Sequence, residues 1–256
     1  MIKAAFFDVD GTLLSHVTKT VSQSAREAIA KLKAAGIQCV LATGRQMIAL
    51  EQLQLTELPF DGYVTLNGQL IFDSEKRILH GIPLKGETKE HLVKLFVENK
   101  LPLMFVEEDR LYVNFVDERV TSVHELICSP VPEIQEYSGR ELYQVCVYMG
   151  EGDDVLMEPI ADKCVLSAWS YGGVDVIAKD GGKMVGIQHY LDVNGIKPEE
   201  IIAFGDADND VDMLKFAGIG VCMGNGWEKA KEAADYITAD VDEDGIYLAL
   251  EHFGLI

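Results

Sequence analysis

Two aspartates that follow a short apolar run near the N-terminus could carry out phosphoryl chemistry. Asp8 and Asp10 stand two residues apart in the segment D-V-D-G, directly after the apolar residues 4–7. At that spacing one carboxylate can attack phosphorus, while the other protonates the leaving oxygen and later takes a proton from water. The sequence therefore offers Asp8 as a candidate nucleophile and Asp10 as a candidate general acid and base.

Three further clusters could complete such a site. Thr43, in the segment A-T-G-R, could hold a phosphoryl oxygen, and Lys183, at the start of a predicted helix, could bring positive charge to the transferring group. The third cluster is the acidic segment G-D-A-D-N-D at 205–210. Its carboxylates would repel Asp8 and Asp10, and a hard divalent cation such as Mg²⁺, which prefers oxygen ligands, would relieve that repulsion.

Most of these polar clusters stand at the end of a predicted strand. Continuous apolar runs at 4–7, 37–42, 63–66 and 201–204 alternate with segments of helical periodicity. Buried strands that alternate with helices predict an α/β fold with a doubly wound parallel sheet. Because ligands of such sheets bind at the carboxyl ends of the strands, we expect the clusters to meet at one edge.

The alternating pattern is interrupted in the middle of the chain. Between about residues 83 and 180, helical and strand-like segments mix without alternation, which is typical of an α+β domain. Within this region a hairpin is predicted to turn at residues 171–173. We therefore predict a doubly wound core built from residues 1–82 and 181–256, with an α+β domain inserted at 83–180.

Charge and composition narrow the range of partners. Acidic residues outnumber basic residues by 42 to 22, and the net charge of −20 would repel a nucleic-acid backbone. No apolar run approaches the roughly 20 residues that span a bilayer. The five cysteines stand apart in mostly apolar segments, which is typical of buried free thiols in a reducing compartment. We expect a cytoplasmic protein that acts on a small phosphorylated metabolite, without nucleic-acid or membrane partners.

The order and spacing of the clusters resemble the four motifs of the haloacid dehalogenase (HAD) superfamily. The matching segments are D-V-D-G-T-L-L at 8–14, A-T-G-R at 42–45, Lys183 and G-D-A-D-N-D at 205–210. Asn67-Gly68 after the third strand, together with the insertion, resembles the Cof-type, subfamily IIB sugar-phosphatase branch. The resemblance covers nearly the whole chain. It implies a Rossmann-like core and an inserted C2-type cap domain that encloses the substrate.

The resemblance also implies an activity and the residues that perform it. The expected protein is a Mg²⁺-dependent phosphatase of small phosphomonoesters, sugar phosphates foremost, with an aspartyl-phosphate intermediate on Asp8 and with Asp10 as general acid and base. The metal would be held by Asp8, the Asp10 carbonyl and Asp206. Asp210 would support the water shell of the metal or Lys183. The implied phosphoryl-binding residues are Thr43, Gly44, Lys183 and Asn209.

Two alternative functions remain open on the sequence. A phosphomutase of the same fold would use the same aspartates but keep the phosphoryl group by excluding water. A calcium-binding or regulatory protein is the second alternative, because Asp240 to Glu251 fits the EF-hand pattern D-x-D-x-D-G-x₅-E. The strand predicted before Asp240 argues against this second alternative, since a helix runs into an EF-hand loop.

Overall fold

The computed structural model describes residues 1–126, 129–168 and 172–256, which form thirteen strands and nine α-helices. The strands are β1 (Ala4–Phe7), β2 (Gln38–Ala42), β3 (Gly62–Thr65), β4 (Leu70–Asp73), β5 (Ile78–Gly81), β6 (Leu103–Val106), β7 (Leu111–Val113), β8 (Gln144–Tyr148), β9 (Cys164–Ala168), β10 (Gly173–Ala178), β11 (Ile201–Gly205), β12 (Ile219–Cys222) and β13 (Tyr236–Ile237). The helices are α1 (Gln23–Ala34), α2 (Met47–Gln52), α3 (Gly86–Val97), α4 (Glu118–Leu126), α5 (Asp154–Met157), α6 (Lys183–Asn194), α7 (Val211–Phe216), α8 (Glu228–Ala233) and α9 (Gly245–His252).

The chain divides into two compact units. One unit comprises Met1–His80 with Lys183–Ile256, and the other comprises Gly81–Gly182. The first contains an eight-stranded sheet in the order β13-β12-β11-β1-β2-β3-β4-β5, and the second contains a five-stranded sheet in the order β7-β6-β8-β10-β9. The predicted fold class, a doubly wound α/β core with an inserted α+β domain, is confirmed.

Parallel strands in the middle of the large sheet place the candidate residues. β1 lies between β11 and β2, with Phe6 opposite both Ala203 and Val40. These three strands are buried along nearly their whole length, as expected for parallel strands with helices packed on the sheet. Because adjacent parallel strands end at the same edge, the residues that follow β1, β2 and β11 come close together.

Two strands at one side of this sheet were not predicted from the sequence. β4 runs antiparallel to β3, with Val64 opposite Ile71, and β5 forms the edge of the sheet beyond it. Only the four residues 66–69 join β3 to β4. So short a connection suits antiparallel strands, because parallel neighbours need a crossover of a dozen residues or more. The residues of β5 are half-buried or exposed, which explains why no apolar run marked this strand.

The inserted unit has a hydrophobic core of its own. Side chains of its strands and of α3 pack around Phe96 and Phe105, whose stacked rings have centroids 4.0 Å apart. β9 and β10 pair in antiparallel fashion, with Asp175 opposite Ser167, and form the two arms of the predicted hairpin. The predicted turn between them includes Tyr171, which lies outside the described residues.

The acidic segment from Asp240 to Glu251 follows a strand instead of a helix. β13 comes before it, and Gly245 begins α9 within it. An EF-hand loop has helices on both sides, so this segment lacks the entering helix. The calcium-binding alternative therefore has a sequence pattern without the matching geometry.

A glycine on α6 allows this helix to approach the turn after β3 closely. A Cβ atom on Gly186 would stand 2.6 Å from the Gly68 Cα and 2.7 Å from the Val64 Cγ1. We expect Gly186→Ala to lower the free energy of unfolding by about 1–3 kcal/mol, measured by urea denaturation, because the helix must move away. Gln188→Ala on the same helix should change it by less than about 0.5 kcal/mol. An unchanged urea midpoint in Gly186→Ala would contradict this account.

Candidate active site

Asp8 follows β1 directly and belongs to a buried ion-pair group. Lys183 Nζ, at the start of α6, donates to Asp8 Oδ1 at 2.5 Å and to Asp210 Oδ1 at 2.6 Å. The side chains of Lys183 and Asp210 are only 1% and 0% exposed. Because water does not reach the ammonium of Lys183 or the carboxylate of Asp210, each of these charges is stabilised by its ionic partners. The lysine therefore links two carboxylates that come from opposite ends of the chain.

The acidic segment after β11 is folded around Asp210. Asp210 Oδ2 accepts hydrogen bonds from the backbone N–H groups of Asp206 and Ala207, both at 3.0 Å. A Cβ atom on Gly205 would stand 2.6 Å from the Asp210 Cβ, so this tight turn requires glycine. Thr12 Oγ1 donates to Asp206 Oδ1 at 2.8 Å and ties the segment to the turn after β1. These contacts hold Asp206 beside the ion-pair group to which Asp210 belongs.

Three buried carboxylates lie close enough to one another to hold one metal ion. An oxygen from each of Asp8, Asp206 and Asp210 lies within 4.8 Å of the other two. When all three carboxylates are ionised, the single ammonium of Lys183 leaves two negative charges unbalanced, which one divalent cation would neutralise. Oxygen ligands suit a hard cation such as Mg²⁺. The side chains present therefore fit the metal that the sequence predicts.

Asp10 is bound by an arginine that the sequence analysis did not single out. Arg45 Nε and Nη2 donate to Asp10 Oδ2 and Oδ1, each at 2.7 Å. This bidentate pair is charge-assisted and geometrically specific. The Asp10 side chain is 36% exposed, so solvent reaches it, in contrast to the buried Asp8. In the sequence, Arg45 could have been noticed as the last residue of the A-T-G-R segment.

The predicted phosphoryl-binding residues after β2 lie beside Asn67. Thr43 is buried, and its Oγ1 accepts a hydrogen bond from the backbone N–H of Arg45 at 3.1 Å. A Cβ atom on Gly44 would stand 3.1 Å from the Asn67 side-chain amide, and Asn209 Nδ2 donates to Asn67 Oδ1 at 3.2 Å. Asn67 therefore joins Gly44 to Asn209, while Arg45 joins Thr43 to the Asp10 carboxylate.

Comparison with known proteins identifies the family. A family profile of haloacid dehalogenase-like hydrolases matches residues 5–250, which is nearly the whole chain. The chain is a haloacid dehalogenase-like hydrolase. Its fold is similar to that of BT1666 from Bacteroides thetaiotaomicron, a phosphatase of this superfamily. The two share 33% identity with a TM-score of 0.90, over 100% of this chain and 96% of BT1666.

Two further phosphatases are similar to this hydrolase along their whole length. The subclass IIB sugar phosphatase BT4131 shares 35% identity with a TM-score of 0.87, over 99% of this chain and 100% of BT4131. The 5-amino-6-(5-phospho-D-ribitylamino)uracil phosphatase YitU of Bacillus subtilis (strain 168) is 31% identical over 269 residues, 97% of this chain and 96% of YitU. The haloacid dehalogenase-like hydrolase is thus a phosphatase of the Cof-type, subfamily IIB branch, as the sequence predicts. Among its described residues, no helix has the length and apolar character needed to cross a membrane.

Burial and the charges of neighbouring acids raise the pKa values of two carboxyl groups of the hydrolase, those of Asp8 and Asp206. Burial raises the pKa of Asp8 well above its ordinary value, and neighbouring acids add to this effect while Lys183 opposes it. Burial, followed by the charge of Asp210, raises the pKa of Asp206 to about 7 against the opposing hydrogen bond from Thr12. Burial by itself would lower the pKa of Lys183, but Asp210 and Asp8 outweigh it and raise that pKa.

Metal binding should therefore stabilise the hydrolase more at high pH than at low pH. The pKa of Asp206 is about 7 in the folded metal-free protein and has its ordinary value of 3.8 in the unfolded chain. Between these values the folded protein keeps a proton that the unfolded chain has released, so stability falls as pH rises through this window. We expect the melting temperature without metal to be lower at pH 8 than at pH 6, and the increase with Mg²⁺ to be larger at pH 8.

Two substitutions test this pH dependence. Asp206→Asn removes the titrating group, so it should raise the metal-free melting temperature at pH 8 and remove most of the increase caused by Mg²⁺. Asp212→Asn, at an exposed acid on α7, should change neither quantity. An equal Mg²⁺-induced shift at pH 6 and pH 8 in the unmodified protein would show that Asp206 does not control metal binding in this way.

Proposed function

We propose that this chain is a Mg²⁺-dependent phosphatase that hydrolyses small phosphomonoesters, sugar phosphates foremost, through an aspartyl-phosphate intermediate on Asp8. The observation that carries this proposal is the contact between Lys183 and Asp8 in a buried cluster that also contains Asp206 and Asp210. A lysine beside the nucleophile attracts the transferring group, and the clustered carboxylates fit a divalent cation. Both features are needed because the net charge of −20 otherwise opposes an anionic substrate.

In the first step, a carboxylate oxygen of Asp8 attacks phosphorus, and the bond between phosphorus and the ester oxygen breaks. Asp10 donates a proton to that oxygen, so the product leaves as an alcohol. Lys183 stabilises the negative charge on the phosphoryl oxygens. When bound, Mg²⁺ supplies further positive charge there, held by Asp8, Asp206 and the Asp10 carbonyl. The residues proposed to bind the phosphoryl group are Thr43, Gly44, Lys183 and Asn209.

In the second step, water attacks phosphorus and returns Asp8 to a free carboxylate. Asp10 has lost its proton in the first step and now accepts one from this water. The bidentate contact with Arg45 fixes the position of the Asp10 carboxylate from which it accepts this proton. To donate a proton in the first step, Asp10 must give up at least one of these two hydrogen bonds. Asp210, which holds Lys183 beside Asp8, is proposed as a supporting residue.

The proposed substrate class is supported by the names of two relatives of this chain. BT4131 is a sugar phosphatase, and the name of YitU gives it a phosphorylated ribityl compound as substrate. Both substrates are phosphate esters of polyhydroxylated carbon chains, which favours sugar and polyol phosphates.

The inserted segment 83–180 is proposed as the cap domain. A cytoplasmic location is supported by four buried free cysteines, since free thiols persist in a reducing compartment. These cysteines are Cys39, Cys146, Cys164 and Cys222.

A direct test is phosphate release from a panel of sugar phosphates, polyol phosphates and cofactor phosphates, with Mg²⁺ and with a chelator. We expect release that depends on Mg²⁺ and is fastest for a sugar or polyol phosphate. Failure to cleave any ester would contradict the proposal. Conversion of a sugar 1-phosphate into its isomer without free phosphate would instead assign the phosphomutase alternative.

A further inference from the structure

An imidazole lies at the border of the acidic cluster. A Cβ atom built on Gly11 would stand 2.4 Å from Asp206 Oδ2 and 3.0 Å from His16 Nε2, so both atoms border the same small space. Gly11, whose φ is +85°, directly follows Asp10 in the chain. The turn after β1 therefore brings a histidine nitrogen beside a carboxylate of the proposed metal site. No spacing in the sequence indicated this, because residues 16 and 206 meet only through the fold.

The side chain of His16 is available to a ligand. It is exposed, and within the part of the chain that the structure describes its ring takes part in no hydrogen bond or ion pair. The neighbouring Asp206 is held differently, because Thr12 occupies its Oδ1 while its Oδ2 borders the space shared with His16. A neutral imidazole has one ring nitrogen with a free lone pair, which can bind a metal ion.

Nitrogen and oxygen donors discriminate between divalent cations. Mg²⁺ prefers oxygen ligands and keeps several of its waters, whereas imidazole binds Co²⁺, Ni²⁺ and Zn²⁺ well. A nitrogen donor next to a set of carboxylates therefore strengthens the binding of Co²⁺, Ni²⁺ and Zn²⁺. It adds little to the affinity for Mg²⁺.

We propose that His16 Nε2 coordinates transition-metal ions held at Asp8 and Asp206, and so shifts the preference of this site toward nitrogen-binding cations. In the structure, the group of metal-ligating side chains found close enough together to share one ion consists of Asp8, Asp206 and Asp210. His16 lies next to this group, and its exposed side chain must turn its nitrogen toward the ion to coordinate it. This inference rests on the metal site of the proposed function. His16 affects which cation the site prefers. The binding of Mg²⁺ does not depend on His16.

Equilibrium titration of the metal-free, full-length protein with Co²⁺ and with Mg²⁺ tests the proposal. Calorimetry gives the two affinities, and the visible absorption of Co²⁺ reports a change in its ligands. We expect His16→Asn to weaken Co²⁺ binding by about 10-fold or more and to alter the Co²⁺ spectrum. The Mg²⁺ affinity should stay within about twofold of that of the unmodified protein. Because His16 is exposed, the melting temperature in a chelator should not change.

A second histidine provides the matched control. His189 stacks on His80 with ring centroids 3.8 Å apart, so this pair is another place where imidazole could take up Co²⁺. His189→Asn should leave the Co²⁺ affinity unchanged if His16 is the donor. The proposal would be overturned by equal Co²⁺ affinity in His16→Asn and the unmodified protein, by a loss confined to His189→Asn, or by equal weakening of Co²⁺ and Mg²⁺ binding.

These titrations contain no substrate, so their outcome is separate from that of the phosphatase assay. Selective loss of Co²⁺ binding in His16→Asn would support the role of His16 even if the unmodified protein released no phosphate. Mg²⁺-dependent phosphate release together with an unchanged Co²⁺ affinity in His16→Asn would overturn this inference and leave the proposed function standing.

Discussion

Replacing Asp8 with asparagine should reduce phosphate release by at least about 10⁴-fold, because the side-chain amide cannot form the aspartyl phosphate. Asparagine has nearly the shape of aspartate, so the buried position stays filled. Lys183 keeps Asp210 as an ionic partner in this variant, which leaves no lysine charge unpaired. The measurement is kcat for the fastest ester of the substrate panel, with the melting temperature as a check on the fold.

Asp10→Asn is the matched variant two residues away. With p-nitrophenyl phosphate the leaving group needs little help from an acid, so the first step should survive and the second should become slow. A burst of p-nitrophenolate is therefore expected from Asp10→Asn and none from Asp8→Asn. Phosphate release by Asp8→Asn within about tenfold of the unmodified rate would refute the assignment of Asp8 as nucleophile.

Lys183→Met should cause the largest loss of stability that we expect from a single change. Methionine keeps most of the length of the side chain but removes the only ammonium group that contacts Asp8 and Asp210 among the described residues. Breaking a buried ion pair on one side leaves an uncompensated charge and costs about 3–5 kcal/mol. The free energy of unfolding, measured by urea denaturation in a chelator, should fall by this amount.

Two comparisons make the Lys183 experiment specific. Adding Mg²⁺ should recover part of the lost stability, because the cation supplies positive charge to the same carboxylates. Lys215→Met, at an exposed lysine of α7, should change the free energy of unfolding by less than about 0.5 kcal/mol. If Lys183→Met were as stable as the unmodified protein without metal, the proposed dependence of the cluster on this lysine would be incorrect.

The parallel core could be predicted from the sequence because its strands are buried on both faces. Such strands appear as continuous apolar runs, as β1, β2 and β11 do, and each run ends where a polar cluster begins. The rule that ligands bind at the carboxyl ends of parallel strands then places Asp8 with the 206–210 segment. The same reasoning could not find β5, whose half-buried residues produce no apolar run.

Contacts between side chains of distant segments could not be predicted from the sequence. The bidentate pair of Arg45 with Asp10 and the hydrogen bond of Thr12 with Asp206 depend on the positions of single atoms, which residue types do not determine. The approach of His16 to Asp206 is a third example, because it follows from the path of the turn after β1. Sequence patterns predict the elements and the edge of the sheet at which the site lies, whereas these contacts depend on the folded structure.

The central position of β1 affects how the protein is made. Phe6 of β1 lies opposite Ala203 of β11, so one neighbour of β1 is synthesised long after β1 itself. At roughly 5–20 residues per second, one edge of this apolar strand stays unpaired for on the order of ten to forty seconds. Unpaired strand edges can pair with other chains, so the nascent protein is prone to aggregation during this interval. Asp8 therefore meets Lys183 and the 206–210 segment only after the intervening chain has been translated.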